Sequence, residues 1–577
     1  MVFSQEFCFS RVLIPIPLGQ FNYKKGVLVS DNLIQRTASA YAYPLIIKNL
    51  LQAPVVDNPE QEIVYRDLRR STYAEFQKRV CRLAGALTAI GVRAGDTVAV
   101  MDWDSHRYLE CFYAVPMIGA VLHTVNIRLS PEQILYTIDH AEDDFILINE
   151  EFVPLLEQIK GRIDTVRGYV LLRDEDKDVE SSLGFVGEYE TLLAGAADEY
   201  VFPDLDENTR ATTFYTTGTT GLPKGVYFSH RQLVLHTLGG MSALATVVGQ
   251  GRFHQSDVYM PITPMFHVHA WGVPYIATSL GVKQVYPGKY MPETLLKLIE
   301  KEKVTFSHCV PTILHLLMNH PLFNEIDLSN WKVMIGGAAL PKAMCRAAMD
   351  RGIDIFSGYG MSETCPVLTL AHVTQEDLNR EEELTVRCKT GRPLPLVQLR
   401  IVDEDMKDVP ADGESVGEIV VRAPWLTQGY LKDQRNSENL WKNGYMHTGD
   451  VAWHGEDRYV KITDRIKDVI KIGGEWISSL EVEDLLAGYP GVAEVAVIGL
   501  PDAKWGERPL ALVVAKEDAE LSSKALRQHI RGFVDKGIVS KQVVVLKVKF
   551  VEAIDKTSVG KINKKLLREK YGESSGE

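Results

Sequence analysis

The stretch Tyr215-Thr-Thr-Gly-Thr-Thr-Gly-Leu-Pro-Lys-Gly-Val226 gathers small hydroxyl residues, three glycines and one lysine into a segment suited to wrap a polyphosphate. Glycines 218, 221 and 225 let the backbone take positive φ and bring N–H groups close to an anion. The hydroxyls of Thr216, Thr217, Thr219 and Thr220, with Lys224, add donors and positive charge. The spacing is not that of a Walker A loop, whose lysine directly follows glycine and precedes Ser or Thr. Apolar Phe214-Tyr215 before the loop and Val226-Tyr-Phe228 after it predict a strand, a phosphate loop and a second strand. Taken alone, such a Gly/Thr turn also reads as a plain surface loop.

Outward from the loop the chain alternates short apolar runs with helical stretches. Val98 to Met101, a helix over about 106–118, Ser130-Pro131 as cap and first helical residue, and Phe145 to Ile148 form one such series. Val304 to Phe306, Val333 to Ile335 and Asp354 to Phe356 form a second. Repeated strand-helix units mean parallel sheets covered by helices, here two α/β halves. Between about 390 and 462 the texture changes to alternating strands, Val397 to Val402 and Gly417 to Arg422, broken by Asp412-Gly413 and Asn443-Gly444, which reads as a small β-barrel-like unit. After Arg465 a smaller α+β unit is predicted: a helix near 478–487, strands near 493–499 and 509–515, a helix near 523–534 and a lysine-rich final helix. No long linker separates it, so a hinge over 465–468 would act through a few backbone torsions. The expected division is an extension over 1–42, a large domain over 43–465 and a mobile C-terminal domain over 466–577.

At 577 residues the chain exceeds one hydrophobic core, and its 45% hydrophobic and 24% charged residues are those of a globular protein. A formal charge of −13 is a poor match to a polyanionic backbone, which sets nucleic acid aside as a partner. Seven cysteines without a CxxC pair read as reduced thiols of a cytoplasmic protein. The apolar run from Cys111 to Ile127 is interrupted by Pro116, His123 and Asn126, so no transmembrane segment is expected. Val12 to Leu18 is broken by two prolines and lacks a basic leader, and is read as a loose extension.

Further segments follow in order: Met265-Phe-His267, Gly336-Gly-Ala-Ala-Leu340, Gly358-Tyr-Gly-Met-Ser-Glu-Thr364, Thr448-Gly-Asp450, Asp464-Arg-Ile-Lys-Asp468, Gly473-Gly-Glu-Trp476 and Gly560-Lys561. With the phosphate loop, this series resembles the AMP-forming adenylating enzymes, which include acyl-CoA synthetases, 4-coumarate ligases, luciferases and peptide-synthetase adenylation domains. It covers roughly residues 45 to 570. Met265-Phe-His-Val-His-Ala-Trp271 and Gly473-Gly-Glu-Trp-Ile-Ser-Ser479 are most similar to the medium- and long-chain fatty acyl-CoA synthetases.

Joining a carboxylate to the α-phosphate of ATP brings two anions together, and cations must offset the repulsion. The resemblance implies that Lys561 bridges the two anions, that Lys224 assists on the phosphates and that Thr219 and Glu363 hold Mg²⁺, hard ligands for a hard ion. Asp555-Lys556-Thr557 stands where the family usually has Pro-Arg-Thr. The resemblance places the adenosine against Gly337, Ser357, Gly358, Tyr359, Gly360 and Ser362, with Asp450 as ribose acceptor, Arg465 beside it and Lys467 as pivot. It adds Lys471 and Trp476 to the nucleotide and CoA contacts, Gly473-Gly474 to the thiol tunnel, His267 and Val268 to the acid, and Trp271 as a gate to the acyl tunnel. Each has a plainer alternative: a capping carboxylate, a solvated lysine, a charged connector, a β-turn, a core histidine or tryptophan.

The implied activity is a carboxylic acid:CoA ligase using ATP, Mg²⁺ and CoA, with a medium- or long-chain fatty acid first and a short, branched, alicyclic or aromatic acid as alternative. The resemblance is compatible with a homodimer. An amino-acid-activating domain would carry an aspartate in the segment Met265-Phe-His267, where none is present, and would be followed by a carrier domain, which does not appear before Glu577. A non-catalytic adenylate-binding regulator would be damaged at Lys561, Glu363 or the phosphate loop, and all three are intact.

Overall fold

The first strand-helix series builds a sheet in the order Phe185–Glu188, Gly168–Leu172, Phe145–Asn149, Thr97–Met101, Val121–Thr124, Arg210–Thr216 and Lys224–Ser229. All its pairings are parallel except the last, where Thr216 faces Lys224 across the mouth of the phosphate loop. Parallel strands buried on both faces need continuous apolar runs, and Val98 to Met101 are fully buried. The helix His106–Met117 is buried on every side, a core helix rather than a surface one. Ser130 and Gln133 form the capping box that starts Pro131–Ala141.

This computed structural model describes residues 34–572, apart from 176, 217–221, 248–250, 375–381, 473–474, 503, 518, 537 and 558–560. The expectations for Thr217, Gly218, Thr219, Thr220, Gly473 and Gly474, and for the side chain of Trp476, lie outside the described residues.

The second series forms a larger sheet, in which Asp354–Gly360, Lys332–Ile335, Phe306–Cys309, Val258–Ile262, Lys283–Tyr286 and Glu62–Tyr65 run parallel between antiparallel edges. The strand expected at Val304 starts instead at Phe306. Lys303 takes a left-handed φ of 58°, and Val304 N–H closes the preceding helix on Ile299 O at 3.0 Å, so Val304 belongs to a helix end.

Gln398–Val402, Gly417–Arg422, Tyr445–His454, Trp441–Lys442 and Val460–Arg465 make an antiparallel sheet. Asn443 and Gly444, at φ 52° and 72°, form the two-residue turn that the sequence marks. Beyond a turn at Ile466–Asp468 comes the α+β unit, in which Ser479–Ala487, Ser523–Asp535 and Lys564–Gly572 pack on strands led by Val492–Asp502 and Gly506–Ala515. Among the described residues no helix is long and apolar enough to cross a membrane.

Candidate active site

A cavity of about 800 Å³, mouth included, opens where the parallel strands Val258–Ile262, Phe306–Cys309, Lys332–Ile335 and Asp354–Gly360 end. Carboxyl ends of parallel strands are where open α/β sheets bind ligands, and the volume suits a small molecule. Nine sequence-predicted residues line it: His267, Val268, Trp271, Gly337, Gly358, Tyr359, Gly360, Ser362 and Lys561.

Backbone forms much of the wall. A Cβ on Gly360 would lie 1.8 Å from Pro366 O, and one on Gly336 would lie 3.0 Å from Gly358 O and 2.9 Å from Trp271 Cη2. At Gly337, with φ +77°, a Cβ would come 3.4 Å from Lys561 Cε. Ser357, directly before Gly358, is buried, and its hydroxyl has no partner among the described residues.

The opposite wall takes an unexpected shape. Val268, His269, Ala270 and Trp271 all have positive φ, 49°, 54°, 47° and 59°, and Gly272 follows at 70°, so the segment after His267 is a left-handed turn. Such backbone disfavours L-residues and persists where packing over-determines it. All four are buried, and the His269 ring sits among Phe112, Phe214, Phe228 and Tyr275 with neither nitrogen bonded to a described residue. Trp271 packs 5.0 Å from the His308 ring. Burial, reinforced by Lys561, pushes the His267 imidazole down to about 3, so it is neutral and presents an N–H without a charge.

Charges converge from three elements. Asp450 accepts the Tyr359 hydroxyl at 2.7 Å and pairs with Arg465 Nε at 3.0 Å. Lys561 stands close enough to Arg465, Asp450 and Glu363 to feel all three; burial first and Arg465 second push its ammonium down to about 8. Lys561 N–H donates to Thr557 Oγ1 at 3.2 Å and Thr557 N–H donates to Lys561 O at 2.7 Å, and this pairing presents the lysine. Thr557 keeps its place although Asp555 and Lys556 depart from the usual pattern.

Sequence reading missed Tyr430. Its hydroxyl donates to Glu363 Oε1 at 2.7 Å while its ring lies 4.6 Å from Lys224 Nζ, so one tyrosine ties two expected phosphate-site residues together. The other Glu363 oxygen takes no hydrogen bond from a described residue and is a hard donor of the type a magnesium ion selects. Asp104 was also missed: its carboxyl accepts Met265 N–H at 2.8 Å and the Tyr290 hydroxyl at 2.5 Å and is pushed up to about 7 by burial, fixing the segment before His267. Neither carries a motif; a lone Tyr and a lone Asp far along the chain give no spacing signal. Thr216, Lys224, Ser357, Glu363, Asp450 and Arg465 are not among the residues that line the cavity. Lys467, in the turn, and Lys471, exposed on Ile470–Ile472, do not line it.

The model of the AMP-binding enzyme family matches residues 51–431, and that of the AMP-binding enzyme C-terminal domain matches 481–561. A long-chain-fatty-acid–CoA ligase of Thermus thermophilus is 41% identical over 89% of this chain and 93% of its own. A medium-chain-fatty-acid–CoA ligase of Ectopseudomonas oleovorans is 37% identical over 88% of this chain and 92% of its own. The crystal structure of an anthranilate CoA ligase in complex with anthranoyl-AMP superposes with a TM-score of 0.81 at 23% identity, covering 93% of this chain and 99% of that one, which establishes the shared fold. The chain belongs to the AMP-binding enzyme family and, within it, to the AMP-forming acyl-CoA synthetases.

Proposed function

We propose that the protein joins a medium- or long-chain fatty acid to ATP as an acyl-adenylate, releasing pyrophosphate, and then passes the acyl group to the thiol of CoA, releasing AMP. The observation that carries this reading is Lys561, an ammonium presented into the cavity within reach of Arg465, Asp450 and Glu363. In the first step the Lys561 ammonium lies between acid carboxylate and α-phosphate and lowers the barrier by stabilising charge. Neutral His267 donates an N–H to the carboxylate, and Asp450, held by Tyr359 and Arg465, accepts the ribose hydroxyls. Glu363 with Thr219 would hold Mg²⁺, which supplies charge neutralisation on the phosphates. The turn at Ile466–Asp468 is the proposed hinge, Lys467 its pivot, between an adenylating domain ending at 465 and a C-terminal domain from 466.

Apolar lining at Ile262, Val310, Ile313, Met334 and Val367 supports an acyl chain. Trp271, packed against Gly336, closes one side of the cavity, and this favours as second reading a short, branched, alicyclic or aromatic acid. The six described cysteines are buried and unpaired, which supports placement in the cytoplasm. A pyrophosphate-release assay with CoA across saturated acids of increasing length, benzoate and cyclohexanecarboxylate tests the proposal. A maximum at medium or long chains is expected; a maximum at benzoate or the shortest acids selects the second reading, and no release with any acid overturns both.

A further inference from the structure

The last helix, Lys564–Gly572, begins three residues after Lys561, and its first side chain is turned inward: Lys564 is 8% exposed. The Lys564 ammonium donates to Ser479 Oγ at 2.5 Å and pairs with Glu483 Oε1 at 2.7 Å. Ser479 Oγ in turn donates to Asp464 Oδ2 at 2.5 Å, and Ser479 N–H donates to the same oxygen at 2.6 Å. Asp464 precedes Arg465 in the strand, and Arg465 pairs with Asp450, which holds Tyr359 of the cavity wall. Alongside, Ser478 Oγ bonds Thr463 O, and Arg568 of the last helix bonds Asp468 at 2.7 Å.

A continuous polar path therefore joins the wall of the cavity to the start of the last helix, three residues after Lys561. Asp464 and Ser479 along it are buried, at 2% and 0% exposure, while the Arg465 side chain is exposed, and burial holds the Asp464 and Glu483 carboxyls above their ordinary range. One ammonium serves two buried carboxyls, so deleting it leaves both without their cation. Lys561 lies between its pairing with Thr557 and the start of this helix, three residues before Lys564, so the anchor of Lys564 bears on one side of it.

We propose that Lys564 is a positioning residue for the adenylating step: bonded to Ser479 and Glu483, it docks the last helix on the Asp464 clamp and so holds Lys561 in the cavity. The proposal rests on the adenylating role given above to Lys561. A misplacement near 1 Å costs on the order of 10²-fold in rate, so the effect is measurable.

Dodecanoate-dependent pyrophosphate–ATP exchange and thioester formation from dodecanoyl-adenylate plus CoA are measured on the full chain, with melting curves, for Lys564→Met, Lys564→Arg, Ser479→Ala and Lys561→Ala. Exchange is expected to fall roughly 10- to 100-fold in Lys564→Met, less in Ser479→Ala, and to recover largely in Lys564→Arg, while the thioester step stays within about threefold. If Lys564→Met fails to fold, Ser479→Ala decides. Unchanged exchange, or equal losses in both steps that track the melting temperature, overturns the proposal. If Lys561→Ala alone abolishes exchange, only this inference fails; if Lys561→Ala leaves exchange intact, the role given to Lys561 fails with it.

Discussion

On one side of the cavity, Gly360 lies so near Pro366 O that a Cβ would stand 1.8 Å from it, and Gly336 packs against Gly358 O and the Trp271 ring. On the other, Lys561 arrives on a unit attached through Asp464, Ser479, Lys564, Arg465 and Asp450, all hydroxyls, carboxylates and cations. Close-packed backbone has one arrangement and no substitute partner. Polar bonds exchange with water for a net of about 1 kcal/mol each, so contacts of this kind are individually replaceable. The wall is set by packing, and the seat of the lysine by hydrogen bonds and ion pairs.

The largest expected effect tests the wall. Gly360→Ala forces a Cβ into Pro366 O and is expected to cost about 4 kcal/mol or more of stability in denaturant melts, with both half-reactions lost together. A variant that melts like the parent would mean that the wall yields and the contrast between the two sides is false. Lys561→Ala tests the other side: pyrophosphate exchange is expected to fall by about 10²- to 10³-fold, with thioester formation from supplied acyl-adenylate and the melting temperature both near the parent's. Equal loss in both steps would give the lysine a structural part instead.

A smaller effect is expected for Tyr430→Phe, which removes the hydroxyl on Glu363 and keeps the ring under Lys224. Losing one hydrogen bond to a charged group, about 1.5 to 3 kcal/mol, predicts adenylation slower by roughly 10- to 150-fold, with a raised magnesium requirement. Unchanged magnesium dependence would separate Tyr430 from the phosphate site. The smallest effect is one of pH. With its pKa pushed down to about 8, Lys561 is a cation below that pH and loses its charge above it, so adenylation kcat/KM of the free enzyme should be about halved at pH 8 and down about tenfold by pH 9. Stability moves the other way. A lysine whose folded value lies below its ordinary 10.5 releases a proton on folding, so its contribution grows as pH rises from about 8 towards 10.5 and is lost as pH falls through 8. A kcat/KM profile flat to pH 10 would remove the cation requirement.

The fold was legible wherever local chemistry decides it. Ser130-Pro131 starts a helix because a hydroxyl cap and a preset φ suit that end, and Asn443-Gly444 turns a hairpin because both residues tolerate positive φ. Strand limits were less so: Val304 has strand chemistry, yet its N–H is taken by a helix carbonyl. In the candidate site, residues set in recognisable runs, Gly336-Gly337 and Gly358 to Ser362, line the cavity, whereas Tyr430, Asp104 and Lys564 make their contacts between distant segments and carry no spacing of their own. The left-handed turn from Val268 was illegible for a sharper reason, since it places valine, histidine, alanine and tryptophan where local preference calls for glycine.

That turn has a consequence for how the pocket changes over time. Left-handed backbone costs about 1 to 2 kcal/mol for each L-residue, so four in succession hold a reserve of several kcal/mol that the rings around His269 keep in place. In an ordinary helix, Ala→Gly loses about 1 kcal/mol; at Ala270 the same exchange releases strain, and the sign of the usual rule reverses. The relief is confined to glycine behind the lining, at Ala270; at Val268 and Trp271, which line the cavity, losing a buried side chain costs more than the strain it frees, so a change of acid made there lowers stability while one glycine behind it returns part of the loss.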